Sequence, residues 1–406
     1  MVWVTEQQPT PDELSSCVHC GLCLPHCPTF RLTGLEIASP RGRLAAMNAV
    51  ADGVIALDSD FEDVMTFCLN CRACEAVCPS LVPFGRAMEG VRAELAEQRP
   101  TWSRRLRHLI LGRLLTSKWL MAVTTLGARL IQRLRLGWLL PRPLRLNFRG
   151  LRPLHGRGAG ADTFEPLGVV RGTVGLLAGC VMEPWFPEVH RATIGVLTAA
   201  GYRVVIPPQQ TCCGALAAHD GAAAAALRSA RHNLAAFAGV DLIVADAAGC
   251  SAHLKEYRHW AEGGEQFGAR VRDITELVAE LIAAGALPVS PHDRGPVAVQ
   301  DPCHLRHAQR IVKAPREVLA AAGYTPVEID PDGLCCGAAG IYSILQPAAS
   351  AELGRNKARQ VRETSTTLVA SANPGCEMQL RAHLDDWMRV AHPVELYFEA
   401  LFDRSA

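Results

Sequence analysis

From residue 173 onward, short apolar runs alternate with longer Ala-rich stretches. The runs are Thr173-Val-Gly-Leu-Leu-Ala, Arg203-Val-Val-Ile and Asp241-Leu-Ile-Val-Ala, then Val297-Ala-Val-Gln, Thr325-Pro-Val-Glu-Ile and Thr367-Leu-Val-Ala-Ser. The stretch 221–238 typifies the segments between them. Strands that alternate with helices predict βα units and a parallel sheet covered on both faces. Nearer the N-terminus, Pro40-Arg-Gly-Arg-Leu followed by an Ala/Met/Val-rich segment predicts a helix. In the middle of the chain, Leu106, Leu109, Ile110 and Leu114 recur at helical spacing with arginines between them.

At 406 residues the chain is long enough for two or three domains with their own cores. Its composition is 49% hydrophobic and 20% charged, with a net charge of +1, which argues against wholesale nucleic-acid binding. The opening MVWVTEQQPTPDELSS has no basic stretch followed by an apolar run, so no secretory signal is expected. Without that signal, sixteen patterned cysteines point to metal rather than to a disulfide framework. No apolar run reaches the roughly 18–20 residues of a spanning helix, and Trp119 to Ala128, between Lys118 and Arg129, falls well short. The expectation is a cytoplasmic protein, soluble or peripheral on the inner face of the membrane.

Eight cysteines form two runs of the pattern C-x2-C-x2-C-x3-C-P. The first is Cys17, Cys20, Cys23 and Cys27 before Pro28; the second is Cys68, Cys71, Cys74 and Cys78 before Pro79. Every cysteine is offset by 51 residues from its counterpart. This is the bacterial ferredoxin spacing, in which three thiolates on a tight loop take three corners of a cube of iron and sulfide and the fourth ligates the other cluster. The expected assignment is Cys17, Cys20, Cys23 and Cys78 to one [4Fe–4S] cluster, and Cys68, Cys71, Cys74 and Cys27 to a second. Structural zinc is the bland alternative, but zinc motifs usually pair two C-x2-C knuckles across a longer loop. With all eight positions filled by cysteine, His19 and His26 are expected at the surface or behind the ligands.

Residues 101–160 hold twelve arginines and one lysine and no acidic residue. Trp102, Trp119 and Trp138 add amphipathic rings, and Pro141, Pro143 and Pro153 interrupt the helical pattern. Such a segment suits an anionic membrane surface, an acidic partner subunit, or a solvated connecting helix. Arg104, Arg105 and Arg107 are the expected docking charges. Gly156-Arg-Gly-Ala-Gly160 follows no predicted strand and reads as a linker, not a nucleotide loop.

The other eight cysteines form a duplication. One half has Cys180, Cys212-Cys213-Gly214 and Gly249-Cys250; the other has Cys303, Cys335-Cys336-Gly337 and Gly375-Cys376. Cys180 and Cys303 each precede their CCG by 32 residues, and Gly201-Tyr202 matches Gly323-Tyr324. Each cysteine follows a predicted strand, and open α/β sheets gather their sites at the carboxyl ends of strands, so each quartet is expected to converge. The residues leave open a further iron–sulfur cluster, a zinc ion, a thiol/disulfide pair or buried structural cysteines. His253, three residues after Cys250, has Gln379 as its counterpart; His304, beside Cys303, has Val181.

Together the motifs resemble the glycolate oxidase (glycolate dehydrogenase) iron–sulfur subunit over nearly the whole chain. The resemblance is carried by CVHCGLCLPHCPTFRLTGLE, SPRGRL and CLNCRACEAVCPS, both CCG halves, Cys303-His-Leu-Arg-His-Ala-Gln309 and Asn373-Pro-Gly-Cys376. It implies the iron–sulfur electron-transfer subunit of a multisubunit enzyme oxidising glycolate to glyoxylate. FAD would reside only in partner subunits, and electrons would pass towards a quinone or another acceptor, with membrane or quinone contact through residues 101–150. This chain shows no dinucleotide fingerprint of its own. The related alternatives are the equivalent subunit of a lactate or glycerol-3-phosphate dehydrogenase, or a thiol/disulfide enzyme like heterodisulfide reductase. The fifth cysteine of heterodisulfide-reductase modules is missing from Cys250-Ser-Ala-His253 and Cys376-Glu-Met-Gln379. The expected architecture is α/β with an N-terminal α-helical ferredoxin-like domain and two homologous βα repeats forming parallel sheets. Its expected boundaries are 1–100, a basic segment and linker over 101–165, and the two CCG domains over 166–290 and 291–406.

Overall fold

The computed structural model describes residues 3–154, 160 and 162–403. Of the glycine-rich linker at 156–160, only Gly160 lies within them. The N-terminal part is helical. Its main helices are Pro40–Ala51, Ser59–Thr66 and Phe84–Gln98, packed around Met47, Met65, Met88 and Val91. Glu94, fully buried, accepts from the N–H groups of Val4 and Thr5 at 2.9 and 2.6 Å and so ties the N-terminal segment to the last of these helices.

The rest is two open sheets. The first contains β1 (Thr163–Phe164), β2 (Gly172–Leu176), β3 (Tyr202–Val205), β4 (Leu242–Ala245) and β5 (Val271–Asp273) in the order β1-β3-β2-β4-β5. The second contains β6 (Gly295–Gln300), β7 (Tyr324–Glu328), β8 (Leu368–Ser371) and β9 (Arg389–Ala391) in the order β7-β6-β8-β9. Every pairing is parallel except the short antiparallel edge β1. Without β1, the two orders are the same permutation, so the duplication read from the cysteines is a duplication of topology. The apolar runs of the sequence correspond to β2, β3 and β4 and to β6, β7 and β8. β1, β5 and β9, two or three residues long, are too short to give an alternating signal.

Both sheets are covered by helices, and the covering helices join the halves. Helix Pro187–Ala199, after β2, packs on Pro393–Phe402, after β9, while Ile274–Ala283, after β5, packs on Lys313–Ala321, after β6. Exchanging the halves exchanges these contacts, which is the arrangement of a pseudo-dimer within one chain. Val196, Leu197, Val278, Val318, Val394 and Tyr397 share one apolar core across the junction. At its closest approach the Pro187–Ala199 helix has Gly195, where a Cβ would overlap the Phe398 ring.

The basic middle runs over the outside of this body as helices Trp102–Leu109, Lys118–Arg133 and Arg142–Arg149, with a π-helical turn at Ile110–Leu114. Among the described residues no single helix is long and apolar enough to cross a membrane; the first two pass such a test only together and are bent by 106°. The expectation that Arg104 and Arg107 are docking charges is corrected here. Arg104 is buried, pairs with Glu62 and donates to the Leu95 carbonyl at 2.7 Å, while Arg107 pairs with Asp220 at 3.1 Å. Both are internal pins whose acids come from outside the acid-free segment. Arg105 is exposed.

Arg152 is the strongest pin. Its guanidinium reaches Glu377 at 2.5 Å and Glu395 at 2.7 Å and lies 5.1 Å from the centre of the Phe186 ring, joining the middle segment to both halves. Removing one partner of a buried ionic group leaves uncompensated charge, here two carboxylates. Arg152→Ala is therefore expected to lower stability by about 3–5 kcal/mol, read as a shift in the urea unfolding midpoint; a change within the error of a surface substitution would remove this role.

Candidate functional site

The two ferredoxin-type loops share one backbone conformation. His19 and Asn70 are both left-handed, with φ of 56° and 52°, and so are Gly21 and Arg72, with φ of 84° and 62°. These pairs are separated by the same 51 residues as the cysteines. A left-handed non-glycine residue costs on the order of 1–3 kcal/mol, so its recurrence in both loops marks a backbone held for a function. Such turns point successive N–H groups inward as an anion-binding concavity. The Asn70 N–H lies 3.3 Å from Cys68 Sγ.

Cys17, Cys20, Cys23 and Cys78 line one small cavity with Arg41 and Pro79, and Cys20 is exposed. Cys27 is buried, as are Cys68, Cys71 and Cys74, and it lies close enough to Cys71 and Cys74 to influence their ionisation. Burial raises the thiols of Cys71 and Cys74 and pushes Cys23 up to about 11. Thiolates at these positions therefore need a positive partner. His19 is exposed and His26 half-buried.

The segment Pro40-Arg-Gly-Arg holds the first loop and the helix that leads into the second. Arg41 donates to the His19 carbonyl at 2.9 Å and pairs with Glu36 at 2.7 Å. Arg43, fully buried, donates to the Ala38 and Val64 carbonyls at 2.7 and 2.9 Å, and its Nη2 has no partner. Arg92 donates to the carbonyls of His219 and Cys68 at 2.7 and 2.5 Å. Neither Arg43 nor Arg92 is ion-paired with a carboxylate among the described residues. Two inward-turned guanidiniums without a carboxylate, one with an unpartnered nitrogen, suit a group of net negative charge bound by thiolates. The donor set and its surroundings thus fit an iron–sulfur cluster.

Each quartet of the duplicated part converges. Cys180 and Cys212 have their sulfurs 3.4 Å apart and Cys213 and Cys250 theirs 3.3 Å apart. In the other half Cys335 neighbours Cys303, and Cys336 neighbours Cys376. Gly214 and Gly337, with φ of 92° and 89°, each direct their N–H towards the first cysteine of the CCG at 3.5 Å. Left-handed backbone at the third position is what aims the amide at sulfur, which explains the glycine of CCG. Among the described residues no three His, Cys, Asp or Glu side chains close around a single ion.

The sites adjoin one another. Cys71 lies near Cys303, and Leu69, Cys71, Cys335 and Tyr342 share one buried cluster. The two quartets meet where the Gly249 N–H donates to Asn373 Oδ1 at 3.1 Å, with Asn373 Nδ2 3.5 Å from Cys376 Sγ. Sequence reasoning missed the polar groups filling the junction with the N-terminal part. Glu89 meets His219 Nδ1 at 2.8 Å, and the His219 ring lies 5.1 Å from that of His304 and 6.3 Å from that of His253. Burial opposes the charge of Glu89, yet the bond to His219 outweighs it and holds the carboxyl at about 2. Burial lowers His253 to about 4, while His304 stands 3.5 Å from Cys303. These residues are scattered through the sequence and carry no spacing that joins them.

Residues 13–82 match a family model described as a 4Fe-4S dicluster domain, and residues 174–255 and 297–381 each match one described as a cysteine-rich domain. The chain is 35% identical over 421 residues to a probable glycolate oxidase iron–sulfur subunit of Bacillus subtilis (strain 168), covering 96% of this chain and 94% of that protein. It is 29% identical over 396 residues to a glycolate oxidase iron–sulfur subunit of Escherichia coli (strain K12), covering 93% of each. A lactate utilization protein A of Oceanobacillus iheyensis is 27% identical over 215 residues, which is 51% of this chain and 87% of that protein. The chain belongs to the family of glycolate oxidase iron–sulfur subunits.

Gly42 lies between the two clamping arginines, and a Cβ there would overlap the Glu36 carbonyl. Gly42→Ala is expected to cost about 1–3 kcal/mol through overpacking and to loosen both loops, measured by thermal unfolding and by proteolysis near residue 20. Wild-type stability would show that the close approach is dispensable.

Proposed function

We propose that this chain is the electron-transfer subunit of an FAD-dependent glycolate dehydrogenase complex. Cys17, Cys20, Cys23 and Cys78 would hold one [4Fe–4S] cluster and Cys68, Cys71, Cys74 and Cys27 a second. The quartets Cys180, Cys212, Cys213, Cys250 and Cys303, Cys335, Cys336, Cys376 would each hold a further iron–sulfur centre. The observation that carries this reading is the order of the thiol sites. One has an exposed cysteine; the next is buried; Cys71 of that buried site adjoins Cys303; and Asn373 links the second quartet to the first. When bound, such clusters supply one-electron carriers with potentials set by burial and by hydrogen bonds to sulfur.

The chain's own residues do the rest. Arg43 and Arg92 offset negative charge, and the amides of Asn70, Gly214 and Gly337 face sulfur. Hydride abstraction from a 2-hydroxy acid needs a flavin or nicotinamide, so FAD-containing partner subunits would oxidise glycolate to glyoxylate. They would dock at the exposed site, where Val18 and Leu22 present exposed apolar side chains. A lactate-linked role is the second reading. Its relative covers half of this chain, whereas the glycolate-linked relatives cover nearly all of it, which supports glycolate. The domains are read as 1–100, 101–165, 166–290 and 291–406.

The middle segment supports a peripheral membrane contact. Trp119, Val123, Leu126, Leu130 and Leu134 form an exposed helical stripe, with Trp119 70% and Leu126 65% exposed. Arg105, Arg113 and Arg133 are exposed on the same segment. Apolar residues outward with arginines beside them suit the headgroup region of an anionic bilayer.

Anaerobically purified protein is expected to contain more than about eight irons and eight sulfides per chain, the content of two cubane clusters. Cys20→Ser is expected to lose one cluster signal in the EPR spectrum after dithionite reduction, and electron transfer with it, while flavin reduction in the partner persists. About eight irons would confine metal to the first hundred residues, and a Cys20→Ser protein with both signals and full electron transfer would refute the ligand assignment. Arg105, Arg113 and Arg133 changed together to Gln are expected to weaken sedimentation with anionic vesicles most at low salt; unchanged sedimentation would exclude the lipid contact.

A further inference from the structure

The second CCG module sets a tyrosine against the N-terminal part. Tyr342 stands seven residues after Cys335, and its counterpart in the first module, seven after Cys212, is His219. Both meet the turn Leu69-Asn70-Cys71 of the second ferredoxin-type loop. His219 Nδ1 lies 3.3 Å from Asn70 Nδ2, and Tyr342 packs with Leu69, Cys71 and Cys335. The duplication thus brings one equivalent residue from each half to a single turn. The backbone arrives differently. Ala215–His219 is a helix in the first module, whereas left-handed Ala339 and Gly340, with φ of 39° and 62°, interrupt the second. A left-handed alanine is strained, and such strain persists where the surrounding structure imposes it. The Tyr342 N–H returns to the Ala339 carbonyl at 3.1 Å, and Ser343 Oγ donates to Asn147 Oδ1 at 3.0 Å, fixing the segment.

The two residues differ in what their polar atoms meet. His219 Nδ1 is taken by Glu89 at 2.8 Å. The Tyr342 hydroxyl is buried and has no partner among the described residues. A buried hydroxyl without an acceptor is costly, and each such group in a native fold needs an explanation. Cys68 and Cys335, thiols of two different sites, and the guanidiniums of Arg43 and Arg92 all lie within electrostatic reach of it. Arg43 Nη2 likewise lacks an acceptor. Burial pushes the Tyr342 phenol above its ordinary value, so it stays neutral and keeps a proton to donate. Two donors without acceptors, beside thiols of two sites, suit sulfur that carries negative charge.

We propose that Tyr342 sets the potential of the buried ferredoxin-type site: its hydroxyl donates to sulfur of the centre held by Cys68, Cys71, Cys74 and Cys27. The inference rests on the reading of the chain as an electron carrier and names a residue that orders two of its centres. When the buried centre gains an electron its sulfur becomes more negative, and a donor aimed at it stabilises the reduced state. The bond therefore raises the potential of the buried centre and favours transfer to it from the exposed one. Tyr342 keeps its proton throughout and is neither oxidised nor reduced.

The test is a redox titration of the intact, cluster-containing protein followed by EPR, with signals assigned by their loss in Cys20→Ser, Cys74→Ser and Cys376→Ser. Tyr342→Phe removes one oxygen and leaves the ring in place. It is expected to keep the wild-type iron content and to lower the midpoint of the buried centre by at least about 59 mV, tenfold in a one-electron equilibrium. The midpoint of the exposed centre is expected to stay at its wild-type value. Tyr397→Phe, whose hydroxyl donates instead to the Pro288 carbonyl at 2.6 Å, is expected to shift neither. ENDOR of the reduced buried centre is expected to show a deuterium-exchangeable proton in the wild type that Tyr342→Phe lacks. An unchanged midpoint, a shift confined to the Cys303 quartet, or loss of the buried centre from Tyr342→Phe overturns the tuning role alone. Absence of any reducible centre from the wild type overturns the electron-carrier reading, and this inference with it.

Discussion

A thiolate away from water is costly, and most of this architecture answers that cost. Burial raises the thiols of Cys71 and Cys74 well above their ordinary value, and the backbone N–H of Ala73 in the same loop offsets only part of this at Cys71. Positive charge comes from elsewhere in the chain, where Arg92 reaches the Cys68 carbonyl, and left-handed residues turn amides inward within both loops. A buried charge without a partner disfavours its charged form, so groups of opposite sign must be delivered together. From helix Pro40–Ala51, Arg43 donates to the Val64 carbonyl of the helix ahead of the second loop, while Arg41, two residues earlier, holds the first loop. The N-terminal part folds around that double requirement.

The duplicated part meets a similar demand by symmetry. Two sheets of the same strand order place their cysteine loops at corresponding strand ends, and the covering helices pair across the pseudo-dyad. The two quartets thereby come to face each other through Gly249 and Asn373. The symmetry breaks in what each quartet faces. The second quartet faces the N-terminal part through Cys303, Cys335 and Cys71, while the first opens on a cavity beneath Lys118–Arg133. His304 and His253, neither matched by histidine in the other half, flank the inward side of this arrangement.

The middle segment faces two ways. Arg104, Arg107 and Arg152 turn inward to Glu62, Asp220 and the pair Glu377 and Glu395, fastening the segment to three parts of the fold. Trp119, Leu126, Leu130 and Leu134 turn outward, while Leu111 and Met121 turn inward.

The sequence alone determined the chemistry and the modular plan. Eight cysteines at a repeated spacing, each run ended by proline, and two CCG modules 123 residues apart were legible because covalent spacing along a tight loop restricts which atoms can reach one centre. The six longer strands were legible from local apolar runs, whereas β1, β5 and β9 were too short to announce themselves. What the tertiary structure decided was direction and partnership. Arg104 and Arg105 are neighbours in sequence, yet one is a buried pin and the other an exposed charge. Glu89, His219 and His304 meet only because the N-terminal part docks on both halves of the duplication. Residue spacing describes groups on one loop or one helix face; groups contributed by distant elements are brought together by packing, which a local pattern does not encode.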